Sequence, residues 1–227
     1  MITPDFKLFK TFSRRANRVA VLSRIPADLE TPVSCFLKLA GTLPNTFLLE
    51  SAEQEEKIGR YSVIALAPSK KVFVRSGRVF EEAGGWKKNL GPAENLLRHL
   101  EQGLRKIKIA NPEDIPGFSG GWVGYLSYEN VVHFESIRLR AKKKARLPQA
   151  IFFFVDSFVV FDHFRKTLTT VILADTSRLG ASGAYRNATL KMKAVASALR
   201  RPLRLPSQVR KKAGSNFSRS SLSGARP

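Results

Sequence analysis

Between Ala150 and Phe161 the chain reads AIFFFVDSFVVF, a run dominated by aromatic and β-branched side chains. Such side chains fit a pleated, half-buried surface, so the run reads as strand over 150–161. It has company. Tyr61–Leu66, Lys71–Arg75, Trp122–Tyr128 and Leu168–Ala174 share its character, and Thr46–Glu50 is a shorter apolar strand. The Ser76-Gly77 step invites a hairpin that returns through Arg78–Glu81.

Helices interrupt the strands. Thr31 suits an N-cap and Pro32 the first helical position, while Val33, Phe36, Leu37, Leu39 and Ala40 recur at helical spacing. The spacing predicts a helix over 32–40, with Gly41 as a left-handed cap. Leu96, Leu97, Leu100 and Leu104 predict a second helix within 92–106, and Tyr185, Ala188, Met192, Val195 and Leu199 a third over 182–199. Strands in runs, broken by a few helices, imply an α+β fold: a mainly antiparallel sheet or sandwich with packed helices.

A chain of 227 residues, 43% apolar, has enough material for a real core. The expectation is one domain over 1–200, followed at 201–227 by a basic linker rich in Pro, Ser and Gly. The formal charge is +21, but it is uneven: residues 176–227 hold twelve Lys or Arg and no acid, whereas 1–175 hold 27 cations against 18 acids. The charge therefore describes the tail more than the body, and polyanion binding is expected to be non-specific. A single cysteine, Cys35, excludes an intrachain disulfide and fits a reducing cytoplasm. No apolar stretch is long enough for a membrane helix, no secretory signal is readable, and Pro4 and Asp5 fit a transit peptide poorly.

Catalytic signatures of serine hydrolases, zinc peptidases and P-loop enzymes are absent from the sequence. His99, His133 and His163 are scattered singly, which favours structural or surface roles over metal ligation. Cys35 reads as a small core residue before it reads as a nucleophile. Gly120, Gly121 and Gly124 either let backbone approach a ligand or admit tight sheet packing, and the second reading needs less. RAKKKAR at 140–146 is either a phosphate-binding patch or a solvated loop. Glu50 and Ser51 fall where burial ceases at a strand end. A carboxylate and a hydroxyl there, with Arg60 on the returning strand, are the donors and acceptors a zwitterion needs, but an ordinary loop has the same composition.

Five segments together change this balance: ADLETPVSCFLKLAG at 27–41, FLLESAE at 47–53, GRYSVIAL at 59–66, GFSGGWVGYLSYE at 117–129 and LPQAIFFFVDSFVVFDH at 147–163. In this order the chain resembles the N-terminal region of the large subunit, component I, of anthranilate synthase. Aminodeoxychorismate synthase shares the fold, and a basic nucleic-acid-binding protein is the alternative from another class. The resemblance implies a lyase of tryptophan biosynthesis that converts chorismate and ammonia to anthranilate and pyruvate with Mg²⁺, a glutamine amidotransferase subunit supplying the ammonia. It further implies an L-tryptophan feedback site, in which Leu49, Glu50 and Ser51 take part and to which Arg60, Tyr61 and Ser62 carry over. SNFSR at 215–219 looks like the entrance to the chorismate-binding domain. The resemblance therefore places the catalytic and metal-binding residues outside this chain, which is expected to be inactive alone.

Overall fold

The computed structural model describes residues 1–50, 59–133, 135 and 147–203. Ser51, the 140–146 patch, the His133 side chain and the tail from 204 lie outside the described residues. In chain order the elements are β1 (Ile2–Thr3), α1 (Phe6–Phe12), β2 (Arg18–Pro26), α2 (Pro32–Ala40), β3 (Phe47–Leu49), β4 (Tyr61–Ala65), β5 (Lys70–Arg75), β6 (Arg78–Ala83) and β7 (Trp86–Pro92). They continue as α3 (Leu96–Arg105), β8 (Gly121–Leu126), β9 (Ala150–Val155), β10 (Ser157–Asp162), β11 (Thr167–Asp175) and α4 (Thr176–Leu199). Two sheets result, ordered β1-β2-β11-β10-β4-β3 and β7-β6-β5-β9-β8. Every strand pair within them is antiparallel, so the α+β expectation holds.

The period of two sorts the first sheet into two faces. Ala20, Leu22, Val63, Ala65, Phe158, Val160, Val171 and Leu173 share one core, which Val123 and Val155 of the second sheet help to close. On the opposite face Ile64, Val159, Phe161 and Leu168 pack against Cys35 and Leu39 of α2 and Val195 and Leu199 of α4. Further along that face, Val19, Val21 and Ile172 meet Phe9 of α1 with Ala188 and Met192 of α4. Each fully buried Phe158, Leu39 or Ile64 side chain is worth roughly 1.5–3 kcal/mol of transfer free energy. The second sheet buries Val72, Val74 and Val79 under Leu96 and Leu100 of α3.

The structure revises several sequence expectations. The 150–161 run is two strands, because Asp156 hands the chain from the second sheet to the first: Val155 pairs with Gly121, whereas Ser157 pairs with Ile172. Gly41 is right-handed (φ −67°), since Thr42 and Leu43 N–H both return to the Leu39 carbonyl and the turn continues. The left-handed residue comes later, at Asn45 (φ 53°). α4 starts six residues before the expected position, capped by the Asp175 carboxylate accepting from Ser177 N–H, and breaks its helical geometry at Gly180. β1, α1, β2 and β7 were not foreseen. β2 is nonetheless central, with Val19, Ala20 and Val21 fully buried. The α2 reading is confirmed, Thr31 Oγ1 accepting from Ser34 N–H and Ser34 Oγ from Thr31 N–H. The Ser76-Gly77 hairpin is confirmed as well, both residues having positive φ.

Candidate functional site

Antiparallel pairing of β3 with β4 ends at Leu49 opposite Val63, and the exposed Glu50 follows immediately. Leu49 is 38% exposed, so the chain leaves the core here as its sequence suggests. On the neighbouring side of β4, pairing with β10 places Tyr61 opposite Asp162 and Ser62 opposite Phe161. The corner is thus built by three strands of one sheet and by the turn that joins β10 to β11.

Arg60 and Asp162 dominate its electrostatics. Arg60 Nε lies 3.2 and 3.3 Å from the two carboxylate oxygens and its Nη2 is 2.8 Å from Oδ2. The guanidinium also sits 5.0 Å from the Tyr61 ring centroid and 5.5 Å from that of Phe164. Asp162 Oδ1 accepts from the N–H groups of Phe164 (3.1 Å) and Arg165 (2.9 Å), closing the β10–β11 turn. Burial works to raise the Asp162 pKa, but the Arg60 hydrogen bonds, the Arg165 and Phe164 N–H groups and the Arg60 charge outweigh it and hold the carboxyl below its ordinary range. The Asp162 hydrogen bonds correspondingly raise that of Arg60 against a smaller opposing effect of burial.

The remaining expected residues divide between the two faces of the sheet. Tyr61 joins the core between the sheets, and its ring sits where a Cβ on Gly117 would meet it at 2.5 Å. Ser62 is fully buried on the helix-covered side, where its hydroxyl pairs with His163 Nε2 at 2.8 Å. His163 N–H donates to the Arg60 carbonyl at 2.9 Å. Glu50 and Arg60 therefore face solvent at the corner, whereas Tyr61 and Ser62 support it from within. Asp162 was the residue missed, while His163, read as structural, has that role here. The Asp162 signal was the polar pair that ends FVVFDH, legible only once the register sets it against Arg60–Ser62.

Arg60 spends its Nε and one Nη2 proton on Asp162, and among the described residues its other N–H groups have no hydrogen-bond partner, the side chain being 29% exposed. The Glu50 carboxylate and the Arg60 guanidinium stand at the same end of β4, on its β3 and β10 sides respectively.

Of the other sequence candidates, those among the described residues are structural, while the 140–146 patch and the His133 side chain lie outside them. His99 Nε2 pairs with the Leu90 carbonyl at 2.9 Å. Cys35 is buried, and burial first, then the Glu30 charge, pushes its thiol up to about 12, which makes it a poor nucleophile. Glu30 is itself held low, the hydrogen bonds of Lys38 and Ser34 overcoming the upward effect of burial. A Cβ on Gly124 would fall 1.9 Å from the Ile151 carbonyl oxygen, and one on Gly120 2.7 Å from that of Val155, so these glycines serve close strand approach. Among the described residues no three His, Cys, Asp or Glu side chains gather to hold a metal ion, and these residues do not fit a Mg²⁺ site. No helix among them is long and apolar enough to cross a membrane.

Comparison with known proteins shows the family and the fold. Residues 44–219 match the family of chorismate binding enzymes. A probable anthranilate synthase component 1 of Schizosaccharomyces pombe is 33% identical over 173 residues, which are 75% of this chain and 32% of that protein. The anthranilate synthase component 1 of a Synechocystis species is 31% identical over 210 residues, 89% of this chain and 40% of its own length. The crystal structure of anthranilate synthase component I from Streptococcus pneumoniae superposes with a TM-score of 0.51 at 23% identity, covering 79% of this chain and 37% of that one, and shows the same fold. The chain thus spans roughly a third to two fifths of the length of the relatives it matches. Because the matched span takes in β4 to β11 and the Arg60–Asp162 corner, the chain belongs to the chorismate-binding enzyme family.

Proposed function

We propose that this chain is part of an anthranilate synthase large subunit and that its β3–β4 corner belongs to an L-tryptophan feedback site. The observation that supports it most is the agreement of relatives from a yeast, a Synechocystis species and Neisseria, each a known or probable anthranilate synthase component 1, at 30–33% identity. They favour the anthranilate branch over aminodeoxychorismate synthase. In this reading Glu50 accepts from the ammonium group of L-tryptophan, Ser51 exchanges hydrogen bonds beside it, and the outward N–H groups of Arg60 meet the carboxylate. Leu49 supplies apolar wall. Tyr61 and Ser62 hold the strand that presents Arg60, which Asp162 orients. Formation of anthranilate and pyruvate from chorismate and ammonia then requires residues beyond those described, and these would hold the Mg²⁺ expected for the family. A glutamine amidotransferase subunit is the proposed ammonia source, in keeping with the relatives' designation as component 1.

The test is calorimetric titration of the 227-residue chain with L-tryptophan. Weak binding is expected, and Ser51→Phe should abolish it through bulk. Equal binding by both forms dismisses the assignment of Ser51. Incubated with chorismate, Mg²⁺ and ammonium, the chain alone is expected to yield no fluorescent anthranilate. A product abolished by chelation overturns the view that the chemistry lies elsewhere.

A further inference from the structure

The α3 helix covers only one end of its side of the second sheet. Beyond it, Lys70 on β5, Glu81 on β6, Trp86 on β7 and Phe154 on β9 line a cleft closed on its far side by the end of β11 and by Arg178 and Lys191 of α4. This cleft has a volume of about 530 Å³. It opens into a second lobe of about 460 Å³ through shared walls at Arg18, Lys70, Glu81, Trp86 and Phe154. A smaller apolar recess of about 260 Å³, walled by Leu104, Ile109 and Leu173, adjoins at Phe154. These volumes lie in the range of small-molecule sites. The β3–β4 corner is at the opposite end of β11: Thr167 pairs with Asp162 there, whereas Asp175 borders the cleft, roughly 25 Å away at about 3.3 Å per residue.

Its charge is one-sided. Arg18, Lys70, Lys88, Lys106, Arg178 and Lys191 line the two lobes, against Glu81, Asp156 and Asp175. Arg18 and Asp175 neutralise each other at 2.7 Å, and Asp156 already accepts from the Ser157 hydroxyl. Among the described residues no carboxylate pairs with Lys70, Arg178 or Lys191. The Lys70 ammonium instead lies 5.0 Å from the Trp122 ring centroid and 5.1 Å from that of Phe154, at the base of the cleft. Among the described residues, cations that no carboxylate pairs with stand around an aromatic floor, with a 43%-exposed Trp86 as wall.

We propose that this cleft binds a small organic anion carrying a planar apolar group, the ring lying against Phe154 and Trp86 and the anionic group among Lys70, Arg178 and Lys191. A low-dielectric floor strengthens the charge interaction, and the ring contributes what a simple inorganic anion lacks. The site is independent of the feedback reading, since none of its residues lies at the β3–β4 corner.

Fluorine NMR of the full chain with 4-(trifluoromethyl)benzoate tests it. Saturable broadening is expected, with the neutral 4-(trifluoromethyl)benzamide, and inorganic phosphate read by its competition with the benzoate, each binding at least tenfold more weakly. The doubly exposed change Arg178→Glu with Lys191→Glu should raise Kd at least tenfold and Trp86→Leu at least threefold. Arg78→Glu, at the other end of β6, should change it less than twofold. Lys70→Met repeats the charge test inside the cleft, with circular dichroism of all variants checking the fold. Equal binding of benzoate and benzamide, or an equal loss in Arg78→Glu, overturns the proposal, because either shows that the cleft's own cations do not select the ligand. Phosphate binding as tightly as the benzoate overturns the role of the ring.

Discussion

At the scale of residues, Asp162 ties the corner together. One carboxylate receives the Arg60 fork and two N–H groups of its own turn, and so fixes both the β10–β11 reversal and the Arg60 guanidinium. Its pKa lies below the usual carboxylate value in the folded chain, and an unfolded Asp titrates near about 3.9. A group whose folded pKa is depressed stabilises the fold fully above its unfolded pKa and loses that contribution as pH falls through the lower folded one. Asp162→Asn should therefore be less stable than the parent at neutral pH, with the gap closing below about pH 4. Urea midpoints measured down the pH scale give the difference directly, and parallel curves would remove Asp162 from the account. The same side chain shows why the corner was only half legible in the sequence. Arg60 reads as a free cation until the register supplies its partner, 102 residues away.

At the scale of elements, what could be read locally was read well. α2 is announced by Thr31, Pro32 and its apolar spacing, all within ten residues, and the Ser76-Gly77 turn by two residues. Asp156 was passed over because a break between sheets has no periodicity signal; one polar residue in an apolar run leaves the strand pattern intact on either side. β2 was missed for the opposite reason, its apolar centre being flanked by cations that resemble a leader or surface segment. The glycines supply a sharper test, since two of them have different duties. Gly124 has no room for a methyl group against the Ile151 carbonyl and the Phe152 backbone (2.7 Å), whereas at Gly77 nothing lies within 4 Å and only its φ of +72° is demanding. Gly77→Ala should cost about 1 kcal/mol of left-handed strain. Gly124→Ala should cost more, roughly 1–3 kcal/mol for overpacking and beyond that if β8 must part from β9. Denaturant unfolding of both variants checks the order, and a Gly124→Ala form as stable as Gly77→Ala would show that the two strands are not held at this approach.

For the whole molecule, the two sheets and their helices account for a common core, but the charge follows a different logic. The body through residue 175 is moderately basic, and the acid-free stretch after it carries more than half of the excess of +21. Part of that stretch is α4, whose buried Ala184, Ala188, Met192 and Val195 face the first sheet while Arg186, Lys191 and Lys193 remain exposed. Six more cations lie in 204–227. Charge arranged this way attracts any polyanion through counterion release and needs no groove or stacking platform. Affinity for a DNA duplex should thus be indifferent to sequence and fall linearly on a log–log plot against salt. Removing 204–227 should make the slope shallower by up to about 0.9 per cation that had contacted phosphate. L-Tryptophan titrations of the same truncated chain should be unchanged, because the β3–β4 corner lies in the body of the fold. Binding that discriminates between duplex sequences, or that keeps its slope without the tail, would instead locate a nucleic-acid function in the folded body and displace the biosynthetic reading.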